Sequence, residues 1–341
     1  VPRMVQISLV NSKVVISGKR YKKIWSTTGL GRIEKDRLVV SPEEAIALHL
    51  MGRIKLSDHV LDSIWEQTSR NPGTFKKVLA LMDLIGRRSY KGHIGPDPYD
   101  ISLWKKPEKP ENSIPKIRVK LYYDYEEISV NDLLRILEGA LYSKKRLMIG
   151  IVDEEGDILY YDVKKVDPIG GLSKVPEEKA SGVFIGDRAI ADSSSEKLNE
   201  TFFGKKLFGM LMLSPLETEF LREKGYLVLK RLKHEEDLIE KLYKYDKSVK
   251  AKYIVYKDLR SRGHVVKSGF KYGAHFRVYK DNPNEAHSNY LVTVTTPEDK
   301  LRPHIVSSMV RLSQSVNKKF LLAVVLENLT VQYIALEYIK P

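Results

Sequence analysis

Lys318-Lys319-Phe320-Leu321-Leu322-Ala323-Val324-Val325 restates, 173 residues further on, the pattern of Lys145-Arg146-Leu147-Met148-Ile149-Gly150-Ile151-Val152. Each is a basic pair followed by an apolar run of strand length. The same offset carries Ser41-Pro42-Glu43-Glu44 onto Ser214-Pro215-Leu216-Glu217, Gly52 onto Gly225, Tyr160 onto Tyr333 and Pro168 onto Pro341. Anchors this far apart in one register identify a tandem duplication of a unit of about 170 residues. A small gap lies between them, because Asp83-Leu84 matches Asp258-Leu259 at an offset of 175. Both Ser-Pro segments read as helix starts, with serine at the N-cap, proline at the first helical position and glutamate three residues after the cap. The glycines that follow suit a left-handed helix end.

The second copy is the more legible. Tyr253 to Arg262 reads as an amphipathic helix stopped by Gly263, and His264–Lys267, Phe270–Lys280 and Asn289–Thr295 read as strands. Asp281-Asn282-Pro283-Asn284 is a turn, Pro303 to Val316 has helical spacing, and Phe320–Leu326 and Val331–Tyr338 form a last strand pair. The expected class is mixed α/β (α+β). Each repeat has a small N-terminal mixed domain and a C-terminal domain with a central mixed sheet. The expected boundaries are 1–72, 73–173, 174–246 and 247–341, with Lys174 to Ala180 as a short polar join.

Bulk properties bound the function. The chain has 341 residues, 58 Lys and Arg against 44 Asp and Glu, and a formal charge of +14. Folded proteins this basic attract polyanions through phosphate contacts. The absence of cysteine excludes disulfides, thiolate catalysis and cysteine-ligated zinc. No apolar run is long enough to span a membrane and no signal-peptide pattern is visible, so a cytoplasmic protein is expected.

Three residues carry the expected chemistry. Tyr279 ends one strand, His287 opens the next across a turn, and Lys318 follows a helix and starts another strand. Side chains at element ends can converge on one edge of a sheet. Together they match the needs of RNA cleavage without a metal or other cofactor: a group to take the 2′-hydroxyl proton, a group to protonate the leaving 5′-oxygen, and a cation for the phosphorane. Taken singly, each has an ordinary reading as a packing tyrosine, a turn histidine or a helix-end cation. Tyr272 is a rival tyrosine further upstream.

From about Tyr253 to Pro341 the sequence resembles the catalytic domain of the tRNA-splicing endonucleases, of the archaeal homodimeric type with a tandem-repeat subunit. The resemblance rests on Lys271-Tyr272-Gly273-Ala274-His275-Phe276-Arg277-Val278-Tyr279, on Ala286-His287-Ser288-Asn289-Tyr290, and on Arg311 to Lys319 leading into an apolar strand. Phe202-Phe203-Gly204-Lys205 with its Ser-Pro helix resembles the family's N-terminal domain. The resemblance implies a restriction-endonuclease-like catalytic fold, with Tyr279 as general base, His287 as general acid and Lys318 as transition-state stabiliser. Lys319 is the alternate to Lys318. Gln314, Asn317 and His275 stand where the family often has histidine, arginine, and a small or acidic residue.

At a constant offset Lys318 maps to Lys145, His287 to Ile114 and Tyr279 to Lys106, so the first copy is expected to be catalytically dead, its lysine a solvated strand-end residue. It has instead an acidic hairpin turn of Asp153, Glu154, Glu155 and Asp157, where the second copy reads Leu326-Glu327-Asn328-Leu329-Thr330. The resemblance implies that this turn docks into a partner's catalytic unit, giving a homodimer with two active sites. It also implies that Arg311 clamps a flipped-out base by cation–π stacking. The substrate implied is precursor tRNA with a bulge-helix-bulge intron junction, cut to 2′,3′-cyclic phosphate and 5′-hydroxyl ends. The competing readings are a metal-dependent DNA nuclease or resolvase, which needs clustered carboxylates, and a non-catalytic RNA-binding subunit.

Overall fold

A computed structural model describes residues 6–172, 176–192, 196–230 and 238–341. The chain divides into two compact units, one of residues 1–164, 300–308 and 336–341, the other of residues 165–299 and 309–335. The expected join at Lys174 begins outside the described residues, as does the boundary between 173 and 174.

In the first unit a four-stranded antiparallel sheet runs in the order Gln6–Val10, Lys13–Ser17, Arg37–Val40, Arg32–Glu34. Helices Tyr21–Thr28, Pro42–Leu50, Asp58–Thr68 and Gly73–Leu81 accompany it. A second set of strands follows, Gly92–Ile94, Ile101–Leu103, Ile117–Tyr123, Arg146–Val152 and Ile158–Val166. Ile117–Tyr123 and Arg146–Val152 pair in parallel, with helix Val130–Tyr142 as the crossover between them. One apolar core, including Val14, Leu48, Leu81, Val119 and Tyr160, unites the N-terminal sheet with these later strands.

The second unit repeats the plan. Its five-stranded sheet has the order Lys205–Leu207, Met210–Met212, Arg188–Ala191, Ala180–Ile185, Leu227–Lys230. Helices Pro215–Glu223, Leu238–Tyr243 and Val249–Ser261 lead to strands Val265–Ser268, Phe276–Tyr279, Tyr290–Thr295, Lys319–Val325 and residues 331–335 of the strand Val331–Ile339. The hairpin pair Arg32 and Val39 recurs as Lys205 and Met212 at the sequence offset.

Both Ser-Pro helices carry a full capping box, Ser41 with Glu44 and Ser214 with Glu217. Gly52 and Gly225 follow them at φ +67° and +75°, the conformation that favours glycine. Each glutamate reaches back to a glycine of positive φ. Glu44 accepts from Gly31 N at 3.2 Å, and Glu217 accepts from Gly204 N at 3.0 Å. The third donor differs between the copies. Ile94 N bonds Glu44 at 2.9 Å, whereas the ammonium of Lys267 bonds Glu217 at 2.9 Å. Burial pushes the Glu44 carboxyl above its ordinary range despite three backbone N–H donors. Burial also pushes on Glu217, but the Lys267 charge and the hydrogen bonds pull its carboxyl below that range.

One expected strand is shorter than read. Phe270–Tyr272 is a 3₁₀ turn closed by Gly273 at φ +65°, and only Phe276–Tyr279 is strand. The alternation from Phe270 to Lys280 concealed this turn. A Cβ at Gly269 would meet the backbone of Ala274 and Phe276 at 2.8 Å, so the chain folds back on itself there.

Candidate active site

Sheet register sets the site within the second unit. Val278 lies opposite Tyr290, and Tyr290 opposite Lys319. Continuing each ladder by one residue puts Tyr279 opposite Asn289 and Asn289 opposite Lys318. Neighbouring strands lie about 4.8 Å apart, so the backbones of Tyr279 and Lys318 are roughly 10 Å apart.

Alternation then sorts the faces. Val278, Val292, Leu321 and Ala323 belong to the apolar core of the unit. Arg277, Tyr279, Leu291 and Phe320 therefore face the other way, and Lys318 shares their side. Lys319 falls on the core side, opposite Tyr290. Lys318 is half-buried, with its ammonium 3.3 Å from Val316 O and 5.9 Å from the centre of the Tyr272 ring. Tyr272 thus adjoins the lysine although it lies upstream of Tyr279.

Asn289 clasps the three elements. Its N–H donates to Val278 O at 2.8 Å, its side-chain oxygen accepts from Lys280 N at 2.8 Å, and its carbonyl accepts from Lys319 N at 3.0 Å. The end of the Tyr279 strand, the His287 segment and the start of the Lys318 strand meet at this residue. His264 supports the same end, its Nδ1 lying 3.2 Å from Tyr279 O. Burial, followed in smaller measure by Lys280 and Arg262, keeps this imidazole below its ordinary pKa. Asn289 sits in the quoted Ala286 to Tyr290 stretch but carried no role in the sequence reading, and neither did His264.

The Tyr279 hydroxyl and the His287 ring are free among the described residues. Tyr279 is 8% exposed and its hydroxyl makes no hydrogen bond among the described residues. His287 is exposed, two residues before the clasp, and its ring has no partner among the described residues. No hydrogen bond joins the three side chains. Tyr279 opens onto a cleft of about 710 Å³ that is also lined by Gly204, Lys205, Glu217, Lys267 and Arg277. Tyr279, His287 and Lys318 thus lie at one sheet end, and of the three it is Tyr279 that lines the cleft. Arg311 is exposed in helix Pro303–Ser315 and makes no ion pair among the described residues. Among the described residues no three His, Asp or Glu side chains are grouped to hold a metal ion. No described helix is long and apolar enough to cross a membrane.

The first unit preserves the frame and, of the three groups, a lysine. Lys116 N donates to Leu103 O at 2.9 Å as Asn289 N does to Val278 O. Leu103 therefore corresponds to Val278, and buried Trp104, not Lys106, stands at the Tyr279 position. The connecting loops differ in length by two residues, which a constant offset cannot register. Lys145 is half-buried rather than solvated and donates to Pro115 O. Burial, then Arg118 and Lys116, lower its pKa.

The acidic turn joins Arg146–Val152 to Ile158–Val166. Asp153 is occupied in holding the turn, accepting from Glu155 N at 3.0 Å and Asp157 N at 2.9 Å. Glu154, Glu155 and Asp157 are exposed and make no ion pair among the described residues. In the second unit the same turn closes with Leu326 N on Thr330 O at 2.9 Å, and Leu329 takes φ 62° where Gly156 takes φ 87°.

Comparison with known proteins follows the same lines. Residues 180–242 match the tRNA intron endonuclease N-terminal domain, and residues 249–333 its catalytic C-terminal domain. A tRNA-splicing endonuclease of Methanosarcina acetivorans is 31% identical over 98% of this chain and 100% of its own length. That of Methanosarcina mazei is 31% identical over 94% of the chain and 95% of its own length. A shorter relative from Methanopyrus kandleri, also a tRNA-splicing endonuclease, is 38% identical over 48% of the chain and 93% of its own length. Likeness across the whole length, together with a catalytic-domain match that contains Tyr279, His287 and Lys318, places this chain in the tRNA-splicing endonuclease family.

Proposed function

We propose that this chain cuts precursor tRNA at bulge-helix-bulge intron junctions, using Tyr279, His287 and Lys318 and no metal ion. Tyr279 takes the proton of the 2′-hydroxyl, and the freed oxygen attacks the adjacent phosphorus. The bond to the 5′-oxygen breaks as His287 gives that oxygen a proton. Lys318 offsets the added negative charge on the phosphorane. The ends are a 2′,3′-cyclic phosphate and a 5′-hydroxyl.

The observation that carries this reading is the shared face of Tyr279 and Lys318, held through Asn289 with His287 two residues away. The same geometry favours Lys318 over Lys319, which lies on the core side. Helix-and-bulge RNA offers a shape and splayed bases to recognise, and exposed Arg311 is suited to stack on such a base. The free carboxylates of Glu154, Glu155 and Asp157, on a chain of net charge +14, suit docking into the basic second unit of another copy. The proposed assembly is a homodimer, and the proposed four-part division at residues 72, 173 and 246 accompanies it.

The test is cleavage of a bulge-helix-bulge precursor tRNA in excess EDTA, by wild type and His287→Ala. Cuts at both bulges with cyclic-phosphate ends are expected, slowed by about 10²–10⁴-fold in the variant. Activity that appears only with added Mg²⁺ replaces this mechanism with a metal nuclease. Binding without cleavage in either condition points to an RNA-binding subunit.

A further inference from the structure

Arg277 lies two residues before Tyr279 on the same strand and faces the same side of the sheet. Its guanidinium carbon is 5.9 Å from the centre of the Tyr279 ring. Its Nε is buried without a hydrogen-bond partner, and the guanidinium makes no ion pair among the described residues. Three other cations of the cleft are engaged, while Lys205 is exposed to solvent. Lys267 holds Glu217 at 2.9 Å, Lys252 holds Asp246 at 2.7 Å, and Arg188 holds Asp187 at 2.8 Å. A buried guanidinium N–H with no acceptor is costly in the free protein. An arriving anion relieves that cost. The planar fork of arginine matches the oxygens of a phosphate.

We infer that the cleft beside Tyr279 is a phosphate site centred on Arg277, which holds the phosphate next to the scissile one in the strand being cut. The assignment rests on the proposed role of Tyr279. With the reacting phosphate between Tyr279 and Lys318, Arg277 stands two residues back along the Tyr279 strand, about 6.5–7 Å off that line. Its ligand is therefore the neighbouring phosphate of the same strand. Arg277 is a positioning residue in this scheme, anchoring the strand so that the 2′-oxygen meets its phosphorus in line.

The test is a binding cycle. Wild type, Arg277→Gln and Arg277→Lys are titrated with bulge-helix-bulge RNA that has a 2′-deoxy sugar at the cut, with and without an uncharged methylphosphonate at the neighbouring phosphate. The expected result is an affinity loss of about tenfold for either change alone, little further loss when both are combined, and partial retention by the lysine variant. The slope of log K against log salt should fall by about 0.7–0.9 in Arg277→Gln. With cleavable RNA the rise in KM should exceed the fall in kcat. Thermal melts identify a variant that fails through unfolding, and Arg277→Lys then carries the comparison. Equal methylphosphonate losses in wild type and Arg277→Gln overturn the site. Wild type that shows the binding cycle but does not cut in EDTA refutes the catalytic reading instead, so the two failures are distinct.

Discussion

Lys267→Ile removes the one charged donor to Glu217 and leaves its two backbone donors in place. Glu217 is 5% exposed and is held by Lys267 at 2.9 Å, Gly204 N at 3.0 Å and Ser214 N at 2.9 Å. Removing one partner of a buried ion pair costs about 3–5 kcal/mol. The two backbone donors remain and isoleucine restores apolar contact, so the lower end, about 3 kcal/mol at pH 7, is expected. The sign with pH follows from the carboxyl. In the wild type it titrates below its ordinary range, so its contribution is complete above that range and is lost as pH falls through the folded value. Without the lysine it should behave as Glu44 does, titrating above the ordinary range and losing stability as pH rises. The difference between the proteins should therefore shrink to about 1 kcal/mol near pH 4.5. Urea unfolding followed by far-UV circular dichroism at both pH values measures it. Tryptophan fluorescence is the reference, since Trp25, Trp65 and Trp104 all belong to the first unit. A loss below about 0.5 kcal/mol at pH 7, or one that does not vary with pH, refutes the reasoning.

His275 accepts the N–H of Val294 at 2.8 Å, and burial together with the Lys252 charge pushes its pKa down to about 4. The unfolded chain takes up this proton near pH 6.5, so stability should fall as pH drops from there toward the folded value, by about 2 kcal/mol at pH 5. His275→Asn keeps an acceptor and should lack that portion of the pH slope; equal slopes in denaturant titrations sink the idea. Leu329 is 65% exposed at φ 62°, so Leu329→Gly should stabilise the second unit. The gain expected is about 0.5–1 kcal/mol, seen as a higher unfolding midpoint. An unchanged or lower midpoint contradicts a strained turn.

The duplication was legible because helix caps and buried strands leave strong local patterns. Ser41 with Glu44, and Ser214 with Glu217, are readable from spacing alone, and both capping boxes form. The strand from Phe270 was over-read because period-two alternation is blind to a turn closed by Gly273, whose positive φ is a backbone property. The match of Tyr279 to Lys106 failed for a related reason, since loop lengths drift while ladder hydrogen bonds keep the register, and Trp104 is what the ladder selects. Arg277 was visible only as a polar residue in a strand. Whether a guanidinium has a partner depends on what folds against it, which no local spacing encodes. Lys318 and Lys319 separate once the faces of the strand are known, and the face is decided by which neighbours form the core.

The Asn289 clasp bears on how the site opens. Three amide hydrogens, those of Asn289, Lys280 and Lys319, are secured through one residue. Releasing the Tyr279 strand end from the His287 segment breaks two of these bonds at once, and freeing the Lys318 strand breaks the third. Exchange of the Asn289 and Lys280 amides with solvent should therefore proceed as one opening, and that of the Lys319 amide as another.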